Sequence, residues 1–262
     1  MKEKKVFVIV CSYSVSPDLI IRKFIKLNNK YNFIIIGVII TNNNLFHFQN
    51  KYDNWIVKNG SNSILDFSAY FEGLNHIKDK INESSPILFF NDTLILKHDF
   101  SFSINEIFKY YDLMNEINFA AMAGFKSDYN SICLKNPWSN NSVFIPTYLF
   151  LLNVQGFKIL NQIKESINFE NLIIDENIFD SINANPQFIE LLKSHTIYNQ
   201  SPLSWNKNNY KIQDLNLFYK KAFCVYLEHR LSGEISNVGG LIFLNGSRRV
   251  QLNIIFREFL IN

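Results

Sequence analysis

The residues best suited to chemistry lie in one run, Pro-Ile-Leu-Phe-Phe-Asn-Asp-Thr-Leu-Ile-Leu-Lys-His-Asp-Phe, residues 86–100. Its apolar stretch, Ile87 to Phe90, is broken by Asn91-Asp92-Thr93 and resumes at Leu94 to Leu96. An unpaired carboxylate inside a buried strand is too costly to keep. The strand is therefore expected to end at Phe90, with the triplet at its carboxyl end, where open α/β sheets bind ligands. An ionised Asp92 there can hold a hard divalent cation. The same triplet also fits a turn whose side chains cap the next element.

Two more polar clusters fall where strands should end. Residues 4–11 form a continuous apolar run rich in β-branched side chains, which predicts a strand buried on both faces. Ser12-Tyr13-Ser14 follows it, then Ser16-Pro17-Asp18, a helix start with Ser as cap and Pro in the first turn. Residues 33–40 give a second strand, and the β-α-β order predicts a right-handed crossover and a parallel pair. Residues 53–58 give a short third strand, followed by Asn59-Gly60-Ser61-Asn62. Ser63 and Asp66 then resemble a capping box for a helix whose apolar face is Ile64, Phe67, Phe71, Leu74, Ile77 and Ile81. In a doubly wound sheet, Ser12, Tyr13, Asn59, Asp66, Asn91 and Asp92 would meet at one edge. Plainer readings stand beside these: an ordinary βα turn for Ser12 and Tyr13, and a helix-dipole carboxylate for Asp66.

Further on, Ser103 and Glu106 read as a capping box, and 119–125 as another strand. Residues 126–142 are polar and read as a surface excursion. Residues 143–154 are strand-like apart from Pro146, and lead into a helix over 156–167. Asp175-Glu176-Asn177 opens a helical stretch, 186–193 is another, and 215–231 is a strong helix. The expected architecture is α/β, a Rossmann-like, mostly parallel sheet flanked by helices. Residues 1–210 are expected to form the main domain, with 211–262 as a C-terminal helical extension packed on it.

Composition narrows the classes. The chain has 262 residues, 47% hydrophobic and 15% aromatic, enough for a sizeable core. A net charge of +3 is too mild to argue for a nucleic-acid partner. Cys11, Cys133 and Cys224 are far apart and form no metal-binding spacing, so reduced thiols in a cytosolic protein are expected. The N-terminus has no signal-peptide pattern, and the longest apolar runs fall short of the ~20 residues that span a bilayer. Neither GxGxxG nor a Walker A loop is present, which removes the main support for Rossmann dinucleotide and P-loop chemistry.

Taken in order, strand–Ser-Tyr-Ser–helix, strand, strand–Asn-Gly-Ser-Asn-Ser-Ile-Leu-Asp-Phe-Ser-Ala-Tyr–helix, strand–Phe-Phe-Asn-Asp-Thr resembles a GT-A glycosyltransferase. The likeness covers roughly residues 3–155 and is nearest to bacterial enzymes of surface-polysaccharide assembly, including rhamnan-type transferases. It implies transfer of a sugar from a nucleotide-sugar donor to a growing, lipid-linked surface glycan such as an O-antigen or capsule, with inversion and with help from manganese or magnesium. The group's metal motif is Asp-x-Asp. Here Asn91 and Thr93 replace its two acids and leave Asp92 alone. The resemblance assigns Asp92 to the metal, Asn91 to ribose or phosphate, and Ser12, Tyr13, Asn59 and Asp66 to the nucleotide. An inverting transfer needs a carboxylate base, expected at Asp175 or Glu176; a plain acidic helix start is the alternative. His195 is expected to complete the metal site or contact phosphate, or to be a surface histidine. Arg248, Arg249 and Arg257 are expected to meet diphosphate or the anionic inner membrane face, with a solvated basic face as the plainer reading. Asp92→Ala is expected to abolish transfer and spare the fold. The rival classes are a non-catalytic nucleotide-binding domain and a nucleotidyltransferase, which wants a Gly-rich basic loop where Ser12-Tyr13-Ser14 stands.

Overall fold

The computed structural model describes residues 4–43, 46, 52–81, 85–128, 135–196, 215–244 and 253–255. In chain order the first half contains β1 (Lys5–Ser12), α1 (Pro17–Tyr31), β2 (Ile34–Thr41), β3 (Trp55–Asn59), α2 (Asp66–Ile77) and β4 (Ile87–Asn91). Then come α3 (Thr93–Lys97), α4 (Phe100–Phe108), α5 (Tyr111–Glu116), β5 (Ala121–Phe125), β6 (Ser127–Asp128) and β7 (Val143–Phe144). The remainder is β8 (Leu149–Leu152), α6 (Val154–Ser166), α7 (Ile178–Ser181), α8 (Pro186–Thr196), α9 (Leu215–Val238), β9 (Gly240–Leu244) and β10 (Asn253–Ile255).

One eight-stranded sheet orders these as β10-β9-β5-β8-β4-β1-β2-β3, and β6 pairs with β7 apart from it. The pairs β3-β2, β2-β1, β1-β4 and β5-β9 are parallel, while β8 runs antiparallel to both β4 and β5, as β10 does to β9. The sheet is mostly parallel and flanked by helices, compatible with a Rossmann-like fold. Alternation along β1 feeds two cores. Phe7, Ile9 and Cys11 pack on one face with residues of α2, α6 and α9. Val6, Val8 and Val10 pack on the other with residues of α1, α4 and α5. Burial on both faces explains the unbroken apolar runs of β1, β2 and β4.

Local signals set some boundaries as expected and others not. Ser16 caps α1 by accepting from the Leu19 N–H at 3.4 Å, with Pro17 in the first turn; such a cap contributes about 0.5–2 kcal/mol. α2 starts at Asp66, later than the Ser63 box implies, because Leu65 sits at φ 50° and no side chain caps the helix. α4 starts at Phe100, where Asp99 accepts from the Phe102 N–H at 2.9 Å; Ser103 lies a turn inside. The apolar run that resumes at Leu94 forms helix α3. Pro146 splits the stretch after the surface excursion into β7 and β8. The C-terminal part is not wholly helical: β9 enters the main sheet beside β5, and α9 shares its core. The expected boundary at 210/211 lies outside the described residues. No described helix is long and apolar enough to cross a membrane. Arg248, Arg249 and Arg257 lie outside the described residues.

Candidate functional site at the strand ends

β1, β2, β3 and β4 finish in register: Ser12 pairs with Thr41, Thr41 with Asn59, and Cys11 with Asn91. The crossovers from β1 and into β4 leave in opposite directions along the sheet, so a topological switch point lies between these strands. The side chain at this point is Asp92. It is 3% exposed, and its Oδ2 accepts three consecutive backbone N–H groups, from Tyr13 at 2.8 Å, Ser14 at 2.6 Å and Val15 at 3.1 Å. Its own N–H donates to the Cys11 carbonyl at 3.1 Å. Asp92 therefore fixes the turn after β1. Successive N–H groups of this kind form a nest that binds an anion, and here the anion is the protein's own carboxylate. The expectation that Asp92→Ala spares the fold is revised accordingly, since three donors would lose their acceptor.

Beside Asp92, the Asn91 amide donates to Asp66 Oδ2 at 2.7 Å, and Asn91 Oδ1 accepts the Thr93 N–H at 3.1 Å. Asn91 thus joins the end of β4 to the start of α2. Asp66 keeps some accessible surface yet lies deep in the fold. Desolvation pushes its carboxyl above the ordinary range, against the pull of Lys221 and the Asn91 hydrogen bond.

The nucleotide-side residues divide. Ser12 is fully buried and its hydroxyl donates to the Val15 carbonyl, so it shapes the turn. Tyr13 is half-buried; its hydroxyl reaches Asn62 Oδ1 at 3.4 Å, and its carbonyl accepts from Asn43 Nδ2 at 3.0 Å. Asn62 Oδ1 also accepts from Asn42 Nδ2 at 3.2 Å. Among the described residues, Asn42 Oδ1 is a buried acceptor without a donor. Gly60 permits this close approach: a Cβ there would stand 2.4 Å from Asn42 Oδ1. Asn59 is exposed at the end of β3.

α9 supplies residues that the sequence did not single out. Lys220 Nζ donates to the Asn62 carbonyl at 3.2 Å. Glu228 Oε2 accepts both the N–H and the hydroxyl of Thr147, each at 2.8 Å, and the Thr147 carbonyl accepts from the Tyr70 hydroxyl at 2.7 Å. Lys221, Cys224 and Glu228 share one helix face by their spacing. Burial alone would lower the Lys221 ammonium's pKa, but Cys224, Asp66 and Glu228 around it hold it above the ordinary lysine range. Burial raises Glu228, with Lys221 opposing. The available signal was a lysine and a glutamate seven residues apart, with Cys224 between them on the same face of the helix.

Asp175 and Glu176 are both exposed, just before α7. Asp175 Oδ1 accepts the Asn177 N–H at 2.9 Å, a local turn contact. Among the described residues, neither acid shares a hydrogen bond or ion pair with the strand-end cluster. His195 falls in the last turn of α8, and its side chain is outside the described residues. Among the described residues, no three His, Cys, Asp or Glu side chains are grouped to hold a metal on their own. A hard cation at a diphosphate needs only one or two carboxylates, with phosphate and water oxygens completing the shell. Asp92 Oδ1, which makes no hydrogen bond among the described residues, fits that minimal role. No protein-family model matches the chain, and a search of curated proteins finds no match.

Proposed function

We propose that this protein is a GT-A-type glycosyltransferase that moves a sugar from a nucleotide-sugar donor to a growing surface glycan. The observation that carries the reading is the meeting of the β1 turn, the start of α2 and the Asn91-Asp92 pair at the switch point of a mostly parallel sheet. Tyr13, Asn42 and Asn62 form a polar, half-buried wall suited to a nucleoside. Tyr13 joins that wall directly to Asp92 through its N–H, and Asn91, next to Asp92, holds Asp66. Asp92 Oδ1 would hold the divalent cation, which when bound offsets the charge developing on the departing nucleoside diphosphate. Inversion requires a carboxylate to take the acceptor hydroxyl's proton, the role proposed for Asp175 or Glu176.

A nucleotide-binding module without transfer activity is the second reading. It is favoured by the exposure of Asp175 and Glu176 and by the absence, among the described residues, of a bond from either to the cluster. A nucleotidyltransferase gains little, because the N–H groups after β1 that would cradle a phosphate are spent on Asp92. A thermal-shift screen of nucleotides and nucleotide sugars, with and without manganese, tests the proposal. Stabilisation by a nucleotide sugar followed by donor turnover with glycan acceptors supports the transferase. Stabilisation without turnover supports the module, and stabilisation by no nucleotide overturns both.

A further inference from the structure

The anion nest after β1 is filled from within, by Asp92. A donor diphosphate entering the proposed cleft would also meet the carboxyl groups of Asp92 and Asp66. Apart from a cation held at Asp92, positive charge for it must come from another element. Two ammonium groups reach this edge from α9. Lys220 is fixed by its 3.2 Å bond to the Asn62 carbonyl, in the loop that follows β3. Lys221 lies on the helix face that carries Glu228, which is anchored to Thr147 beside β8. The same face carries Cys224, which accepts the Asp66 N–H, so it meets the start of α2.

We propose that Lys221, assisted by Lys220, is the anion subsite of the cleft and takes the diphosphate of the nucleotide donor. The inference rests on the transferase or nucleotide-module reading for its ligand, but not for the anion site itself. Partly burying an ammonium among acids is weak as a device for stability, because apolar replacements of buried ion pairs are often neutral or better. Retaining one at a strand-end cleft fits a functional charge. The acids around Lys221 keep it protonated and positioned until a stronger anion arrives.

The test is calorimetric titration with inorganic pyrophosphate, and separately with UDP, GDP and ADP, in EDTA and in manganese. The proteins are the full chain, Lys221→Met, Lys221→Arg, and Lys221→Met/Glu228→Gln, which also removes the charge of Glu228 on the same helix face. Circular dichroism checks each fold. The expected result is a loss of at least tenfold in pyrophosphate affinity for both methionine variants, with substantial recovery in Lys221→Arg. Unchanged pyrophosphate affinity in a folded Lys221→Met variant overturns the anion subsite. So does a wild-type protein that binds no pyrophosphate. Lys221-dependent pyrophosphate binding without binding of any nucleoside diphosphate keeps the subsite and counts against the nucleotide reading. Nucleoside diphosphate binding that ignores Lys221 does the reverse.

Discussion

Asp92 gives the sharpest prediction, because one oxygen accepts three N–H groups from a segment far away in sequence. Charge-assisted hydrogen bonds contribute about 1.5–3 kcal/mol each. Three donors sharing one oxygen are less than additive, so Asp92→Ala should lose about 3–5 kcal/mol. That is a large share of the roughly 5–15 kcal/mol by which a domain is stable. Asp92→Asn keeps an acceptor oxygen but removes its charge, and should lose about 1–2 kcal/mol. Guanidinium unfolding followed by circular dichroism at neutral pH reads both. The expected order is wild type, then Asp92→Asn, then Asp92→Ala, with similar slopes. An Asp92→Ala protein within about 1 kcal/mol of wild type, a change typical of unremarkable sites, would refute the clamp. Limited proteolysis adds a local check, since cleavage near Tyr13 to Val15 should rise in the alanine variant.

Other consequences are independent of the clamp. A Cβ at Gly37 would stand 2.0 Å from the Trp55 ring on β3, so Gly37→Ala should lose about 1–3 kcal/mol and shift tryptophan emission; an unchanged melting temperature contradicts this. Desolvation holds both Asp66 and Glu228 above their unfolded values. The native state therefore keeps protons that the unfolded chain releases, and stability from these groups is full below about pH 4 and falls as pH rises through the folded values. Asp66→Asn and Glu228→Gln should each flatten the fall in unfolding free energy towards neutral pH, and an unchanged slope would refute the assignment. Burial pushes Cys224 up to about 12 and Cys11 well above the ordinary thiol range. Site-resolved mass spectrometry should find both nearly inert to iodoacetamide at pH 8 when folded and reactive in urea; native labelling at the rate of a free thiol contradicts this.

Much of the N-terminal half was legible in the residues. The runs of β1 and β2 are apolar because both sheet faces are covered, and Ser16-Pro17 marks α1 through local capping alone. The polar interruption at Asn91-Asp92 located a strand end for the same reason: an unpaired acid cannot stay inside a strand. Its use was not legible, because the partners are backbone groups that only the fold brings near. The reversed direction of β8 was equally hidden, since an apolar run carries no sign of its polarity. Asp99 displaced Ser103 as a cap because competing capping residues are resolved by packing. Lys221 and Glu228 escaped notice because charges seven apart on a helix usually mark a solvated face, and only the docking of α9 turns that face inward.

That docking has a kinetic side. β1, β2, β3 and β4 pair among residues that lie before Asp92 in the chain, whereas β9 joins β5 across more than a hundred residues, Gly240 against Ala121. Contacts of such separation form late, after their loop-closure entropy has been met. A growing chain can assemble the Asp92 clamp well before α9 exists. Until α9 settles and β9 closes beside β5, the strand-end edge carries acids without their ammonium. Refolding should thus proceed in two stages, with the N-terminal sheet forming first and anion affinity appearing only once α9 and β9 have docked.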